Sequence, residues 1–360
     1  MRRKTWMGSL GVGALLILTG CGTSNSTPSA SGGGSNTIAL LMPSANSASR
    51  WVDQDPVYFK AEVTALDPTA RVIASNALGD SQKALAQVQS ALTDHAQVLV
   101  ADPPDATSGV SLVAAAHAAN IPFISYDQLV NGPNIAFYVS FNNVEVGYLQ
   151  GKYLVDHLPK GSSVVIINGT PGPGIAATFK QGVHEALDPA FKSGQLKLAY
   201  ETDTPLWNPA LAQSEMTQAL TKANNNVQGV IGSNDGLAGG INAALTAQHL
   251  DGKVLVTGQD GTLAGLQRIL MGTQSMTVFK DVSLEAKAAA KVAVALARGK
   301  KDAISSVAKT KVNNGTINVP ALLLTADVVT KANVGDAVKA GIFTWAQICN
   351  GIPAKNCPQS

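Results

Sequence analysis

The 360-residue chain is short of charge: 14% of its residues are Asp, Glu, Lys or Arg, the formal net charge is +2, and no run of Lys or Arg follows residue 4. A nucleic-acid-binding surface concentrates basic side chains on one face, so that class is excluded. Cysteine is scarce as well, with three residues at Cys21, Cys349 and Cys357. The two near the C-terminus supply too few ligands for a zinc site. The five histidines (His95, His117, His157, His184, His249) are scattered with no i, i+4 pair, and no metal centre is expected. There is no G-x-S-x-G, the turn that exposes a serine nucleophile in one large hydrolase class. The apolar stretch from Leu10 to Leu18 is too short to span a bilayer.

That stretch is nevertheless the first informative one. "MRRKTWMGSLGVGALLILTGC" has a basic start, an apolar core and small residues before Cys21, the layout of a secretory signal over residues 1–20. Its end, "LTGC", resembles the lipobox of bacterial lipoproteins, which implies a lipidated Cys21. Two acyl chains hold a protein firmly at a membrane surface where one does not. Residues 21–36 are a Gly/Ser/Thr/Pro tract with nothing to bury and read as a flexible tether. The globular part is therefore expected outside the cytoplasm, anchored to the cell membrane. In that oxidising setting Cys349 and Cys357 are expected to pair and clip the tail.

Beyond the tether, apolar runs of strand length alternate with helix-period segments. "TIALLM" (37–42), "RVIAS" (71–75), "QVLVA" (97–101) and "IPFIS" (121–125) are the continuous runs of parallel strands covered on both faces. "SVVIIN" (163–168), "LKLAY" (196–200), "VQGVIG" (227–232) and "KVLVTG" (253–258) form a second set. Helical faces lie between them, so each set predicts βαβ units and a parallel sheet. The fold class is α/β: two tandem three-layer αβα lobes. Two such lobes, secreted and tethered, point to a binding protein.

The strand ends carry a common chemistry. Arg50 and Trp51 follow the first strand, Asp127 and Gln128 the fourth, Asn234 and Asp235 the run "GVIGS", Gln259 and Asp260 the run "VLVTG", and Lys280 the run "SMTVF". Any one of these is a reasonable cap or turn residue. Together they suit a ligand at the carboxyl ends of the strands, where open α/β sheets bind. A sugar demands that set, because carboxylates, amides and guanidinium groups pair with its hydroxyls while its C–H faces stack on indoles such as Trp51 and Trp207.

Five blocks carry a family resemblance: "SRW" (49–51), "YDQLVNGPNIAFYVSFNNVEVGYLQGKYLVD" (126–156), "ALTKANNNVQGVIGSND" (219–235), "GKVLVTGQDGTLAGLQRILMGTQSMTVFK" (252–280) and "VNNGTINVPALLLTADVV" (312–329). In order and spacing they resemble the periplasmic xylose-binding proteins of bacterial ABC transporters, within the ribose- and galactose-type, type I solute-binding proteins. The resemblance implies ligand roles for Arg50, Trp51, Asp127, Trp207, Asn234, Asp235, Gln259 and Lys280. It implies three hinge crossings, near 140–143, 258–262 and 317–322, with one lobe from 37–140 and 262–317 and the other from 141–258 and 318–360. It further implies a monomer that takes no cofactor and hands a monosaccharide to a permease, with sensing through a membrane receptor or kinase as the alternative.

Three departures touch the site, one of them in the loop after "VVIIN", where Gly174 and Ile175 stand at the places of a common Asn pair. Gln128 stands where the family usually has Arg, and Asn142 where Asp is common, so both belong to the expected ligand set while the sugar itself stays open between xylose, another pentose or hexose, and a polyol. Enzymatic rivals fare poorly. "GTPGPGIAATF" (169–179) imitates a dinucleotide fingerprint through Gly172, Gly174 and Ala177, but Glu201 lies too far along to meet the ribose. Asp127 and Asp235 as a hydrolytic pair would be kept ionised by Arg50 and Lys280, leaving no general acid.

Overall fold

The structure, a computed structural model, describes residues 36–358 except residue 173. The expected signal at 1–20, the expected lipidation site Cys21 and nearly all of the expected tether lie outside the described residues.

In chain order the elements are β1 (Thr37–Met42), α1 (Arg50–Asp53), α2 (Asp55–Leu66), β2 (Arg71–Asn76), α3 (Ser81–Thr93), β3 (Val98–Ala101), α4 (Ala106–Ala118), β4 (Phe123–Tyr126), β5 (Ile135–Phe141) and α5 (Asn143–His157). Then come β6 (Ser162–Asn168), α6 (Ile175–Lys192), β7 (Leu196–Asp203), α7 (Pro209–Lys222), β8 (Gly229–Gly232), α8 (Asp235–Ala247), β9 (Leu255–Val256), β10 (Gln259–Asp260), α9 (Leu263–Met271) and β11 (Met276–Phe279). The chain closes with α10 (Val282–Ala297), α11 (Ala303–Val307), β12 (Thr310–Asn313), β13 (Asn318–Leu324), β14 (Asp327–Thr330), α12 (Gly335–Lys339) and α13 (Trp345–Ile348).

The first sheet runs β12-β13-β5-β4-β3-β1-β2, parallel throughout except for the antiparallel edge strand β12. Its middle strands β1, β3 and β4 are buried along their whole length, as their unbroken Val/Ile/Leu runs require, whereas β2 at the other edge is half-buried. Ile38, Leu40, Val100 and Ile124 pack with Phe59 and Val63 of α2 and with Ala289 and Val292 of α10. The opposite face packs Leu41 and Leu99 against Val88 of α3 and Leu112 of α4. Burying each such side chain contributes about 1.5–3 kcal/mol. Strand β5 has no counterpart among the sequence-derived strands; its aromatic run "IAFYVSF" follows the turn residues Gly132, Pro133 and Asn134.

The second sheet runs β7-β6-β8-β9, all parallel. Strand β11 extends it, since Ser275 N donates to Val256 O and Val278 N to Gly258 O, and β14 pairs antiparallel to β11. Helix α9 packs beside α8, and Leu266 and Ile269 share a core with Val329 and Val334. Helix α10, by contrast, lies on α2 and the first sheet.

These packings move two of the three expected crossings. The first falls between β5 and α5. The second falls between β11 and α10, around residues 280–282, because α9 and β11 are held by the second sheet. The third falls after Leu324, because β13 pairs with Tyr138–Phe141 of β5 instead of leaving the first lobe at 318. The tail returns to the second lobe and is closed by a disulfide between Cys349 and Cys357.

Candidate ligand-binding site

The carboxyl ends of both sheets face a common cavity. Ser44, Ser47, Trp51, Asp102, Asp127 and Gln128 line it from the first lobe, Phe179, Trp207 and Asn234 from the second, and Gln259 and Asp260 near the strands that join them. Parallel strands and the helices that follow them put main-chain N–H groups and short polar side chains at this end, which is why caps and ligand groups lie side by side.

The floor is a buried charge cluster centred on Arg50. Its Nε donates to Asp55 Oδ2 at 2.9 Å, and its Nη2 to Asp55 Oδ1 at 2.5 Å and to Glu285 Oε2 at 2.6 Å. The guanidinium lies 4.0 Å over the Trp51 ring. Its Nη1 has no hydrogen-bond partner among the described residues and stands 3.8 Å from both Asp127 Oδ2 and Asp260 Oδ1. Lys280, 1% exposed, brings a second cation 3.4 Å from Asp260 and 3.8 Å from Asp127, under the rings of Phe179 and Phe141. Gln259 Oε1 is also buried without a partner among the described residues.

Two cations thus face five buried carboxyl groups: Asp55, Asp102, Asp127, Asp260 and Glu285. Burial, and then the neighbouring Asp127 charge, push Asp102 and Glu285 well above the usual carboxylate range. Asp260 is raised to about 6, chiefly by burial, with Lys280 and Arg50 pulling the other way. Between about pH 4 and 6 the folded protein therefore holds a proton on Asp260 that the unfolded chain does not. Through this group, stability increases as pH falls across that window, while the ionised, acceptor-only form of the carboxylate gives way to one that also donates. Solute affinity is expected to weaken severalfold from pH 7.5 to pH 5 as the empty protein's unfolding midpoint holds or rises. Calorimetric titrations at the two pH values check this, and an unchanged dissociation constant would take the Asp260 carboxylate out of the contact set.

The chain matches the model of the periplasmic binding protein domain over residues 38–301. It belongs to the periplasmic binding protein family. It is 38% identical over 290 residues to the D-xylose-binding periplasmic protein of Escherichia coli (strain K12), covering 80% of this chain and 85% of that one. With the multiple sugar-binding periplasmic receptor ChvE of Rhizobium radiobacter it shares 32% identity over 315 residues, 82% of this chain and 87% of the relative. Its fold is similar to that of a carbohydrate transporter solute-binding protein from Chloroflexus aurantiacus solved with D-glucose, at a TM-score of 0.77 and 27% identity over 87% of this chain and 98% of that one. Periplasmic binding proteins hold solutes without transforming them, so this chain is not an enzyme.

In this periplasmic binding protein Trp51, Asp127, Gln128, Trp207, Asn234 and Gln259 line the cavity, and Arg50 and Lys280 stand behind it within 3.8 Å of the lining carboxylates of Asp127 and Asp260. Two residues of the expected set, Asn142 and Asp235, do not line it. Asn142 is exposed and caps α5, its Oδ1 accepting from Glu145 N, and it borders a different cavity beside the first crossing. Asp235 is fully buried behind the site, where Oδ2 accepts from Thr262 N and Oγ1 and Oδ1 accepts from Gln274 Nε2 at 2.7 Å. As the first residue of α8 it points toward the N-terminus of α9, where Gly258 and Gly265 leave no room for a Cβ beside its carboxylate.

Asp235→Ala is accordingly expected to leave Thr262 and Gln274 donors unpaired and cost about 1–3 kcal/mol of stability, with solute affinity within threefold of the parent. Denaturant titration and calorimetry check the pair; the reverse pattern would return Asp235 to the ligand set.

Asn234 has a second duty. Its Oδ1 caps α8 by accepting from Leu237 N, and its Nδ2 donates across the cleft to Ser47 O at 3.2 Å. A Cβ on the adjacent Gly236 would lie 2.5 Å from the same Ser47 oxygen. The lobes touch here, with Gly236 close against the main-chain oxygen of Ser47.

Sequence reasoning also missed residues. Asp260 stands at a strand end it had marked, yet stays outside the ligand set; Asp102 directly follows the apolar run at 97–101. Asp55 and Glu285 left no signal, being acidic positions on helices that pass beneath the site.

Proposed function

We propose that this periplasmic binding protein captures a monosaccharide, xylose or a related pentose or hexose, in the interlobe cavity and delivers it to the permease of an ABC transporter. One observation carries the reading: a buried acceptor (Gln259 Oε1) lies in one cavity with the carboxylates of Asp127 and Asp260 and the rings of Trp51 and Trp207, with a buried donor (Arg50 Nη1) 3.8 Å behind those carboxylates, and neither has a hydrogen-bond partner among the described residues. Unpaired buried polar groups cost about 1–3 kcal/mol each, and a polyhydroxylated solute satisfies them. The relatives named for D-xylose and for multiple sugars support the same class.

The remaining expectations join this proposal: a monomer, held at the outer face of the cell membrane through a diacylated Cys21. Cys21→Ala should then move the protein from the membrane to the soluble fraction.

A thermal-shift panel of D-xylose, D-ribose, D-glucose and myo-inositol, followed by calorimetry, tests the ligand. A solute at 100 times its dissociation constant adds about 2.7 kcal/mol of stability, and a micromolar constant corresponds to about 8 kcal/mol. No shift with any sugar at millimolar concentration would sink the reading, and a response to myo-inositol alone would replace a sugar by a polyol.

A further inference from the structure

We infer that Glu285, with Asp55, is a positioning residue that aims Arg50 so that a single nitrogen, Nη1, is what the guanidinium offers the bound solute. The inference rests on the sugar-binding reading above and deepens it. Glu285 does not line the cavity; it is wholly buried on α10. It acts through Arg50, whose Nε and Nη2 hydrogens are consumed by Asp55 and Glu285 at 2.5–2.9 Å while the Trp51 indole covers one face of the fork. Asp55 is itself held, because the Tyr126 hydroxyl donates to its Oδ1 at 2.5 Å. What remains is Nη1, equidistant from Asp127 and Asp260. A solute hydroxyl there would accept from Nη1 and donate to either carboxylate.

Packing alone does not account for an acid at 285. Its second oxygen, Oε1, is buried without a partner among the described residues, a cost that an apolar side chain of similar size would avoid. The position also matters: Glu285 lies in the first turn of α10, directly after the crossing that carries Lys280. One short segment thereby sets Lys280 against Asp260 and pins the far side of Arg50, so both cations of the site are referenced to the same hinge.

Glu285→Gln tests this with two readouts. In the solute-free parent, nitrogen NMR of Arg50 is expected to show separate Nη1 and Nη2 signals in slow exchange; in E285Q, where Asp55 alone grips Nε and Nη2, their exchange is expected to quicken severalfold. Sugar affinity is expected to fall about tenfold or more in E285Q, but less than about twofold when the same change is made on an Arg50→Lys background that has no fork to aim. An exchange rate unchanged in E285Q, or an equal affinity loss on both backgrounds, would overturn the inference. If the parent protein binds no sugar, the functional reading fails on its own and the nitrogen signals still decide whether Glu285 orients Arg50.

Discussion

Asp127→Ala is expected to abolish most solute binding while sparing the fold. Asp127 closes β4 in a left-handed conformation (φ 53°), held by its own N–H to Val139 O and by the Tyr138 hydroxyl donating to its carbonyl. The carboxylate thus projects between Arg50 and Lys280, accepting among the described residues only a long 3.4 Å bond from Ser140. Deleting it removes an acceptor that the proposed sugar would use and leaves both cations leaning on Asp260. Truncating one partner of a buried charged contact costs about 2–5 kcal/mol, which is roughly a 30- to 5,000-fold rise in dissociation constant. The empty protein should lose little, because Asp127 is a leading cause of the raised proton affinity of Asp102 and Glu285. Removing it relieves that repulsion. Calorimetry and denaturant unfolding on one preparation check both halves, and an affinity loss below tenfold would take Asp127 out of the site.

Arg50→Met is expected to fail in the opposite way, through stability. Methionine fills much of the volume but strands Asp55 and Glu285, each at most 1% exposed, without their shared cation. Breaking a buried pair from one side costs about 3–5 kcal/mol. The loss should be smaller at pH 5 than at pH 7.5, since Glu285 already takes up a proton readily and neutralising it removes part of the uncompensated charge. Unfolding free energies at the two pH values measure this; a loss under 1 kcal/mol at pH 7.5 would mean that the cluster is not held by its arginine.

The layers of the fold were legible because buried parallel strands write themselves as unbroken apolar runs, as β1 and β3 do. Which lobe a helix joins was not. Helix α9 and strand β13 have ordinary local patterns, and only the partners they find, α8 for one and β5 for the other, decide where the chain crosses. The site divides along the same line. Trp51, Asp127, Asn234 and Gln259 could be read from strand ends. Asn142 and Asp235 sit at equally plausible ends but serve helices and loops, since a side chain that caps a helix has the chemistry of one that binds a hydroxyl. Asp55 and Glu285 lie 230 positions apart in number, and only the folded chain brings them to one guanidinium.

The touch between Ser47 and Gly236 has a kinetic consequence. Where two backbones abut, no rotamer can swing aside to admit water, so escape of a captured molecule waits on parting of the halves as wholes. Residence time is then governed in part by Gly236, which does not line the cavity, and a homologue with an identical pocket but a bulkier residue at Gly236 would let go sooner.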